Sequence, residues 1–152
     1  MGNQELKNLE KQDKYVFHGS ENIIKIFEPR QAYTIVNGKQ IPDGKPAIFS
    51  SPFVDYAIFM AIINKANCPK GLRSGCAWYN NKFKFTATKE TLEQLSKDSK
   101  GYVYVFNKSD FKERSISEWV SYKEVKPVKM IEVRWSDFTQ EIEKIENDMA
   151  RD

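Results

Sequence analysis

The sequence contains one histidine and two cysteines, and this scarcity removes several kinds of active site. Cys68 and Cys76 lie eight residues apart with no histidine beside them, so neither a zinc site nor a disulfide framework is indicated. No glycine-rich phosphate loop is present, which disfavours Walker-type and Rossmann-type nucleotide sites. The serines around His18 show no nucleophile-elbow spacing. We therefore expect two reduced thiols and no metal.

Long hydrophobic runs are also missing. No segment approaches the roughly 20 apolar residues of a membrane-spanning helix. The first residues, Met1 to Leu6, lack the apolar stretch of a signal peptide. These absences predict a protein of the cytoplasm that has no membrane partner.

Charge of one sign is not in excess. The chain has 24 Lys and Arg against 21 Asp and Glu, which are interspersed and give a net charge of +3. Such mild basicity barely favours nucleic acid or acidic lipid as a partner. The 152 residues, 40% of them hydrophobic, suffice for one domain with a core and are too few for two.

Hydrophobic periodicity and turn residues predict the order of elements along the chain. Three helical segments are expected before residue 100 besides a short one at 23–27: an arm or short helix over 1–13, a buried helix over 52–65 that begins at Ser51-Pro52, and a helix of two to three turns capped by Thr88. The predicted strands are 14–18, 47–50, 83–87, 102–106, 118–122 and 128–135. Two long loops are expected, over 28–46 and over 66–82, and the first of them contains a small hairpin at Asn37-Gly38. We also expect a charged loop over 107–115 and a C-terminal surface helix over 136–152. Segregated helices and strands predict one α+β domain over 14–135, built on antiparallel strands.

The only histidine follows a β-favouring run and precedes a glycine. Tyr15-Val-Phe predicts a strand that delivers His18 to a point where Gly19 leaves the backbone bare. Ligand sites are often built in this way, and a lone histidine is also common as a packed or surface residue.

Two later segments extend this pattern. Ile48-Phe-Ser-Ser leads into the apolar helix that contains Phe59. Glu118 opens a late strand, where it alternates with Val120 and Tyr122 and so shares their face. This placement favours a functional carboxylate, and an exposed edge-strand glutamate is the alternative.

These three segments resemble the three motif regions of the ADP-ribosyltransferase fold, in the His-Tyr-Glu branch that contains the poly(ADP-ribose) polymerases and the diphtheria-toxin-like toxins. The stretch His18-Gly-Ser20 is similar to the first motif, and Ser117-Glu-Trp-Val-Ser-Tyr122 is similar to the third. The resemblance spans about residues 14 to 134. It implies a split or two-sheet core with flanking helices, NAD as substrate, and transfer of ADP-ribose to a macromolecular acceptor, protein or nucleic acid, with release of nicotinamide.

The resemblance also implies roles for particular residues. His18 would bind a ribose hydroxyl of the adenosine half, beside Ser20, and the backbone of Gly19 would bind the nicotinamide amide. Glu118 would bind the nicotinamide ribose and orient the acceptor, so Glu118 and His18 are the expected catalytic residues. In the long loop 28–46, which we expect over the mouth of the pocket, Arg30 is the best placed charge for the pyrophosphate.

The middle motif departs from the family. Members of this branch place two tyrosines eleven positions apart around the nicotinamide ring, and the corresponding places here are Ile48 and Phe59. Phe59 keeps an aromatic face, Ile48 cannot stack, and Tyr56 is the counterpart if the register differs by a turn. Plain core packing is the alternative for both Ile48 and Phe59.

The missing strand tyrosine leaves a second hypothesis open: a catalytically silent module that binds a nucleotide or a partner. RNA 2'-phosphotransferases share the fold and use arginines and another histidine in the site. Because this chain has a single histidine, we rank this function below the other two. Arginine-modifying relatives carry Glu or Gln two residues before the catalytic Glu. That place is Ile116 here, which disfavours arginine as the acceptor. The resemblance puts acceptor recognition in the loop 107–115.

Overall fold

One apolar helix lies between two β-sheets and organises the chain. The computed structural model describes residues 2–146. Its helices are α1 (Gly2–Lys11), α2 (Val54–Ile62) and α3 (Lys89–Leu92). Its strands are β1 (Tyr15–Ser20), β2 (Tyr33–Val36), β3 (Lys39–Pro42), β4 (Ile48–Ser50), β5 (Ser74–Tyr79), β6 (Lys82–Thr88), β7 (Lys100–Asn107), β8 (Lys112–Ser115), β9 (Glu118–Ser121), β10 (Lys129–Arg134) and β11 (Ile142–Ile145).

The strands form three three-stranded sheets and one hairpin within the described residues. Their orders are β1-β7-β10, β4-β9-β8 and β11-β6-β5, and β2 pairs with β3. An antiparallel bridge between Phe17 and Ser51 joins the first two sheets edge to edge. All pairings are antiparallel except that of β11 with β6. The predicted class, a single α+β domain built on antiparallel strands, is confirmed.

Helix α2 is buried on both sides, as its composition predicts. Ala57 and Ala61 face the sheet of β1, β7 and β10, in a core that also contains Leu6 of α1. Phe59 faces the opposite way and packs with Phe85 of β6. A helix that contacts sheets on two sides needs apolar residues around most of its circumference.

The start of α2 differs from the expectation. The helix begins at Val54 and not at Pro52, because the backbone of Ser51 is engaged with Phe17 in the bridge between the sheets. The Ser51 hydroxyl accepts a hydrogen bond from the Phe53 N–H, and Glu10 of α1 accepts one from the Val54 N–H at 2.7 Å. A carboxylate from a distant helix therefore replaces the predicted local cap.

Two segments predicted as loops contain strands. The segment 66–82 includes β5, which forms a hairpin with β6 through Asn80 and Asn81, both with positive φ. Two consecutive residues in this conformation match the turns that favour two-residue hairpins. The segment 107–115 includes β8, which pairs with β9. The hairpin predicted at Asn37-Gly38 is confirmed as β2 and β3.

Two predicted helices are wrong within the described residues. The segment 23–27 is not helical, because the Tyr104 hydroxyl holds the Ile24 N–H and Phe27 pairs with Val125. The segment 136–146 forms a 3₁₀ turn at its start and then β11, which covers the edge of β6 and leaves Ile142 packed against the core. The rest of the predicted C-terminal helix, 147–152, lies outside the described residues.

Two smaller expectations hold. Residues 2–11 form a helix, and Thr88 caps α3 by accepting a hydrogen bond from the Thr91 N–H. Helix α3 itself is shorter than the predicted two to three turns. None of the helices within residues 2–146 is long and apolar enough to cross a membrane.

Candidate active site

The three segments singled out in the sequence lie side by side at the junction of two sheets. Strand β1 carries His18, and the bridge between Phe17 and Ser51 places β1 next to the end of β4. Strand β4 pairs with β9, whose first residue is Glu118. The 100 sequence positions between His18 and Glu118 are thus spanned by two neighbouring strand contacts.

A small cleft of about 110 Å³ opens at this junction. Both His18 and Glu118 line it, so they face one pocket and do not lie on opposite sides of the sheet. The small cleft is lined by Phe17, His18, Gly19, Phe49, Ser50, Tyr56, Met60, Ser117 and Glu118.

A large cavity of about 580 Å³ adjoins the small cleft, because His18 and Phe49 line both. Its volume falls within the roughly 300–1,000 Å³ of small-molecule sites. Ser20, Arg30 and Ile48 also line the large cavity. An elongated ligand could therefore extend from one space into the other past His18.

His18 is held in one orientation. Its Nδ1 lies 2.7 Å from the Phe49 carbonyl oxygen, which can only accept, so Nδ1 carries the proton and Nε2 keeps a free lone pair. Its ring meets the Phe27 ring edge to face at 5.1 Å. Burial lowers the pKa of the imidazole, and the hydrogen bond to Phe49 opposes this shift only in part. The imidazole is therefore neutral at pH 7, with Nε2 as its free acceptor.

This burial predicts a pH-dependent stability. Above the unfolded pKa of about 6.5 the imidazole is neutral in both states. As the pH falls below that value only the unfolded chain takes up the proton, so the free energy of unfolding should fall from pH 7.5 towards pH 5.5. The measurement is urea unfolding of wild type and His18→Gln, whose amide can still donate to the Phe49 carbonyl. An equal loss of stability in both proteins would contradict the prediction.

Glu118 lies at the rim of the small cleft, with 36% of its side chain exposed. Its Oε1 lies 3.5 Å from Nη1 of Arg114 on the neighbouring strand β8. A half-exposed pair of this kind is weak because water screens it. Glu118 is thus accessible to a ligand in the small cleft.

Tyr56 is the aromatic residue of α2 that reaches the small cleft. Burial raises the pKa of its phenol, and the Cys76 thiol and the Glu118 carboxylate nearby raise it further. The Cys76 thiol is partly buried, and this burial raises its pKa to about 12, which makes it a poor nucleophile at neutral pH. Tyr56 is therefore a neutral aromatic group beside Glu118.

The expected aromatic pair is in a different register. Phe59 is 1% exposed, packs against Phe85 and Phe138, and does not line the small cleft, so the structure does not bring it together with His18 and Glu118. Ile48 lines the large cavity and packs in the core beside it. Their neighbours one position on, Phe49 and Met60, line the small cleft. Sequence reasoning missed both, although alternation along a strand could have indicated Phe49 once Ile48 was placed in the core.

The packing of β1 against α2 requires a glycine at position 19. A Cβ at Gly19 would lie 2.0 Å from the Ala57 carbonyl oxygen of α2. The strand therefore approaches the helix as closely as a bare backbone allows, and the same residue lines the small cleft. Ser20 ends the strand and accepts a hydrogen bond from the Asn22 N–H.

The first residues of the long loop 28–46 line the large cavity. Arg30 is exposed at the cavity, and its backbone pairs with Ala47 in both directions. The strands β2 and β3 that follow are exposed along their whole length and do not line the cavity. On the other side, the Tyr104 hydroxyl donates to the Asn22 carbonyl and accepts from the Ile24 N–H, which fixes the segment that faces Arg30.

A separate groove of about 610 Å³ lies on the opposite face of β9. Aromatic rings of Phe53, Trp78, Phe83 and Trp119 line it. Its charged residues are partly neutralised by one another, as in the pairs Lys7 with Asp55 and Lys108 with Asp13. No residue expected at the site lines this groove.

No family model, curated protein or solved structure matches this chain.

Proposed function

We propose that this chain is an ADP-ribosyltransferase that cleaves NAD, releases nicotinamide and transfers ADP-ribose to a macromolecular acceptor. One observation carries the proposal: His18, Tyr56 and Glu118, from three distant segments, line one small cleft. The large cavity beside it offers room for the adenosine half of the dinucleotide.

The groups in the two spaces suit the two halves of NAD. Nε2 of His18 can accept a hydrogen bond from a ribose hydroxyl, because Nδ1 is already tied to Phe49. Rings of Phe49 and Tyr56 offer apolar surfaces for a flat nicotinamide, next to the bare backbone of Gly19. Arg30 supplies a positive charge at the large cavity for the pyrophosphate.

The proposed reaction breaks the bond between the nicotinamide nitrogen and C1' of the ribose. Nicotinamide leaves with the bonding electron pair, and the ribose develops oxocarbenium character. A nearby carboxylate stabilises this positive charge. Because the charge forms only in the transition state, the interaction lowers the barrier of the reaction. Glu118 holds the ribose hydroxyls in this scheme and receives the proton that the acceptor nucleophile loses as it bonds to C1'.

The direct test is to incubate the purified protein with NAD and measure nicotinamide by chromatography, with and without cell extract as a source of acceptors. We expect time-dependent nicotinamide and transfer of label from adenine-labelled NAD to macromolecules. An NAD-dependent rise in melting temperature should accompany both. A protein that neither binds nor cleaves NAD would refute the proposal.

Arg30→Ala should weaken NAD binding by about tenfold or more. The reason is that one charge-assisted hydrogen bond to a phosphate typically contributes about 1.5–3 kcal/mol. Isothermal titration with NAD measures the change. Lys39→Ala, which removes a positive charge from the exposed strand β3, is the matched control and should bind as wild type does. Equal affinity of Arg30→Ala and wild type would make Arg30 an ordinary surface arginine.

A silent nucleotide-binding module is the second candidate. Two features favour it: Ile48 stands at the place of the family's strand tyrosine, and Arg114 already pairs with Glu118. A module of this kind would gain melting temperature with NAD and release no nicotinamide. The incubation above therefore separates the two functions.

A further inference from the structure

Arg114 is the extra residue of a β-bulge beside the candidate catalytic glutamate. Along the β8–β9 pair, Glu113 opposes Trp119 and Ser115 opposes Glu118, so Arg114 has no partner residue of its own. Bulges of this kind re-aim side chains and are frequent next to active sites. Here the bulge puts Ser115 opposite Glu118, and Arg114, which precedes Ser115, still reaches the Glu118 carboxylate with its side chain.

The guanidinium of Arg114 contacts three parts of the site at once. Nη1 lies 3.5 Å from Glu118 Oε1, and Nη2 lies 3.4 Å from Asp43 Oδ1 at the root of the exposed hairpin. Cζ lies 5.9 Å from the ring centre of Phe49, which lines the small cleft. The one side chain thus contacts Glu118, the ring of Phe49 in the small cleft, and Asp43 directly after β3.

A positive charge at this place opposes the proposed chemistry. Glu118 stabilises a cationic ribose by its negative charge, and a paired guanidinium cancels part of that charge. Both ion pairs of Arg114 are more than a third exposed, so they are weak and exchange readily with another anion.

We propose that Arg114 holds Glu118 in a less active state until an acidic side chain of a protein acceptor takes the guanidinium. The inference rests on the proposed function and adds an acceptor class and a control step to it. Its basis is that both present partners of Arg114, Asp43 and Glu118, are carboxylates. One carboxylate of the acceptor can replace both, because its two oxygens match the two terminal nitrogens of the guanidinium.

The exchange leaves the covalent balance of the reaction unchanged. The acceptor carboxylate pairs with Arg114 and forms no bond to the sugar. The C1' atom loses nicotinamide together with the bonding pair and gains the acceptor nucleophile, whose proton passes to Glu118. Arg114 is thus a positioning residue that acts through Glu118.

The test compares wild type, Arg114→Ala and Lys39→Ala, each with NAD alone and with a synthetic Glu/Ser peptide or its Gln/Ser analogue. Lys39→Ala removes one positive charge from the exposed strand β3, outside the loop 107–115. We expect Arg114→Ala to release nicotinamide about tenfold faster than wild type with NAD alone. The Glu/Ser peptide should accelerate wild type and Lys39→Ala about tenfold and Arg114→Ala hardly at all. The Gln/Ser peptide should accelerate none.

A double variant tests the route through Glu118. Arg114→Ala should have no effect in a Glu118→Gln background, because the charge that Arg114 cancels is then missing. Nicotinamide release by wild type shows whether the proposed function itself holds. If wild type releases nicotinamide but Arg114→Ala matches it in every condition, the inference about Arg114 is wrong and the proposed function stands. Acceleration by a 5'-phosphorylated oligonucleotide and not by the Glu/Ser peptide overturns the acidic-peptide acceptor. Absence of nicotinamide release from every variant, including wild type, overturns both proposals.

Discussion

Alanine in place of Gly19 should destabilise the protein by about 3 kcal/mol or more, at the upper end of what overpacking a core costs. The new Cβ would lie 2.0 Å from the Ala57 carbonyl oxygen and 2.6 Å from the Ala61 nitrogen. Both are backbone atoms of α2, so no side-chain rotation relieves the clash. Helix α2 would have to move away from β1 and lose contact with the sheet beneath it.

Two further glycines make this prediction specific. Gly101 of β7 meets the same helix, with a Cβ 1.9 Å from the Ala61 carbonyl oxygen, and it does not line the small cleft. Gly101→Ala should therefore match Gly19→Ala in urea unfolding. In Gly75→Ala the Cβ meets only the Thr86 hydroxyl, at 3.0 Å, which can rotate away, so its cost should stay within about 1 kcal/mol.

The outcome bears on how His18-Gly19 is understood. If Gly19→Ala folds as stably as Gly75→Ala, the backbones of β1 and α2 do not lie as close together as the structure has them. If Gly19→Ala and Gly101→Ala are equally destabilised, packing alone is sufficient to require the glycine. In that case a glycine after the histidine is no evidence for a nicotinamide site, and the functional argument rests on His18, Tyr56 and Glu118.

Elements with strong periodicity were predictable from the sequence. The run Val54–Ile62 is apolar around most of its circumference, which is possible only for a buried helix, and Asn37-Gly38 specifies a two-residue hairpin. The predictions for β5 and β11 failed because these strands are defined by their partner β6 and have little pattern of their own. Pairing with a distant strand overrides weak local preference.

The site was predictable only in outline. The predicted strands 14–18 and 118–122 singled out His18 and Glu118, and both residues line the small cleft. On β4 the motif position was assigned to Ile48, whereas Phe49 lines the small cleft, because a one-residue change of register moves every side chain of a strand to the other face. On α2 the aromatic residue at the small cleft is Tyr56, one turn before Phe59. The bulge at Arg114 leaves no mark in the sequence, since it arises from how β8 pairs with β9.

Glu118→Gln should lower the rate of nicotinamide release by about 100-fold or more while NAD affinity changes little. The amide keeps the size of the side chain and much of its hydrogen bonding and removes the negative charge. That charge acts on the ribose mainly in the transition state, so its loss falls on kcat and corresponds to about 3 kcal/mol. Single-turnover nicotinamide release and NAD titration measure the two quantities separately.

Glu113→Gln is the matched control, because it makes the same change five positions away, on the same hairpin and on the opposite face. Its rate should equal that of wild type. Melting temperatures of both variants should stay close to wild type, since the Glu118 pair with Arg114 is half exposed and contributes at most about 1 kcal/mol. Wild-type activity in Glu118→Gln would remove Glu118 from the catalytic role, whereas NAD binding without nicotinamide release in every variant would favour the silent module. If the rate of nicotinamide release falls in Glu118→Gln and not in Glu113→Gln, the effect belongs to the carboxylate at the small cleft and not to negative charge anywhere on the hairpin. A transferase requires this difference between the two variants, and a binding module does not.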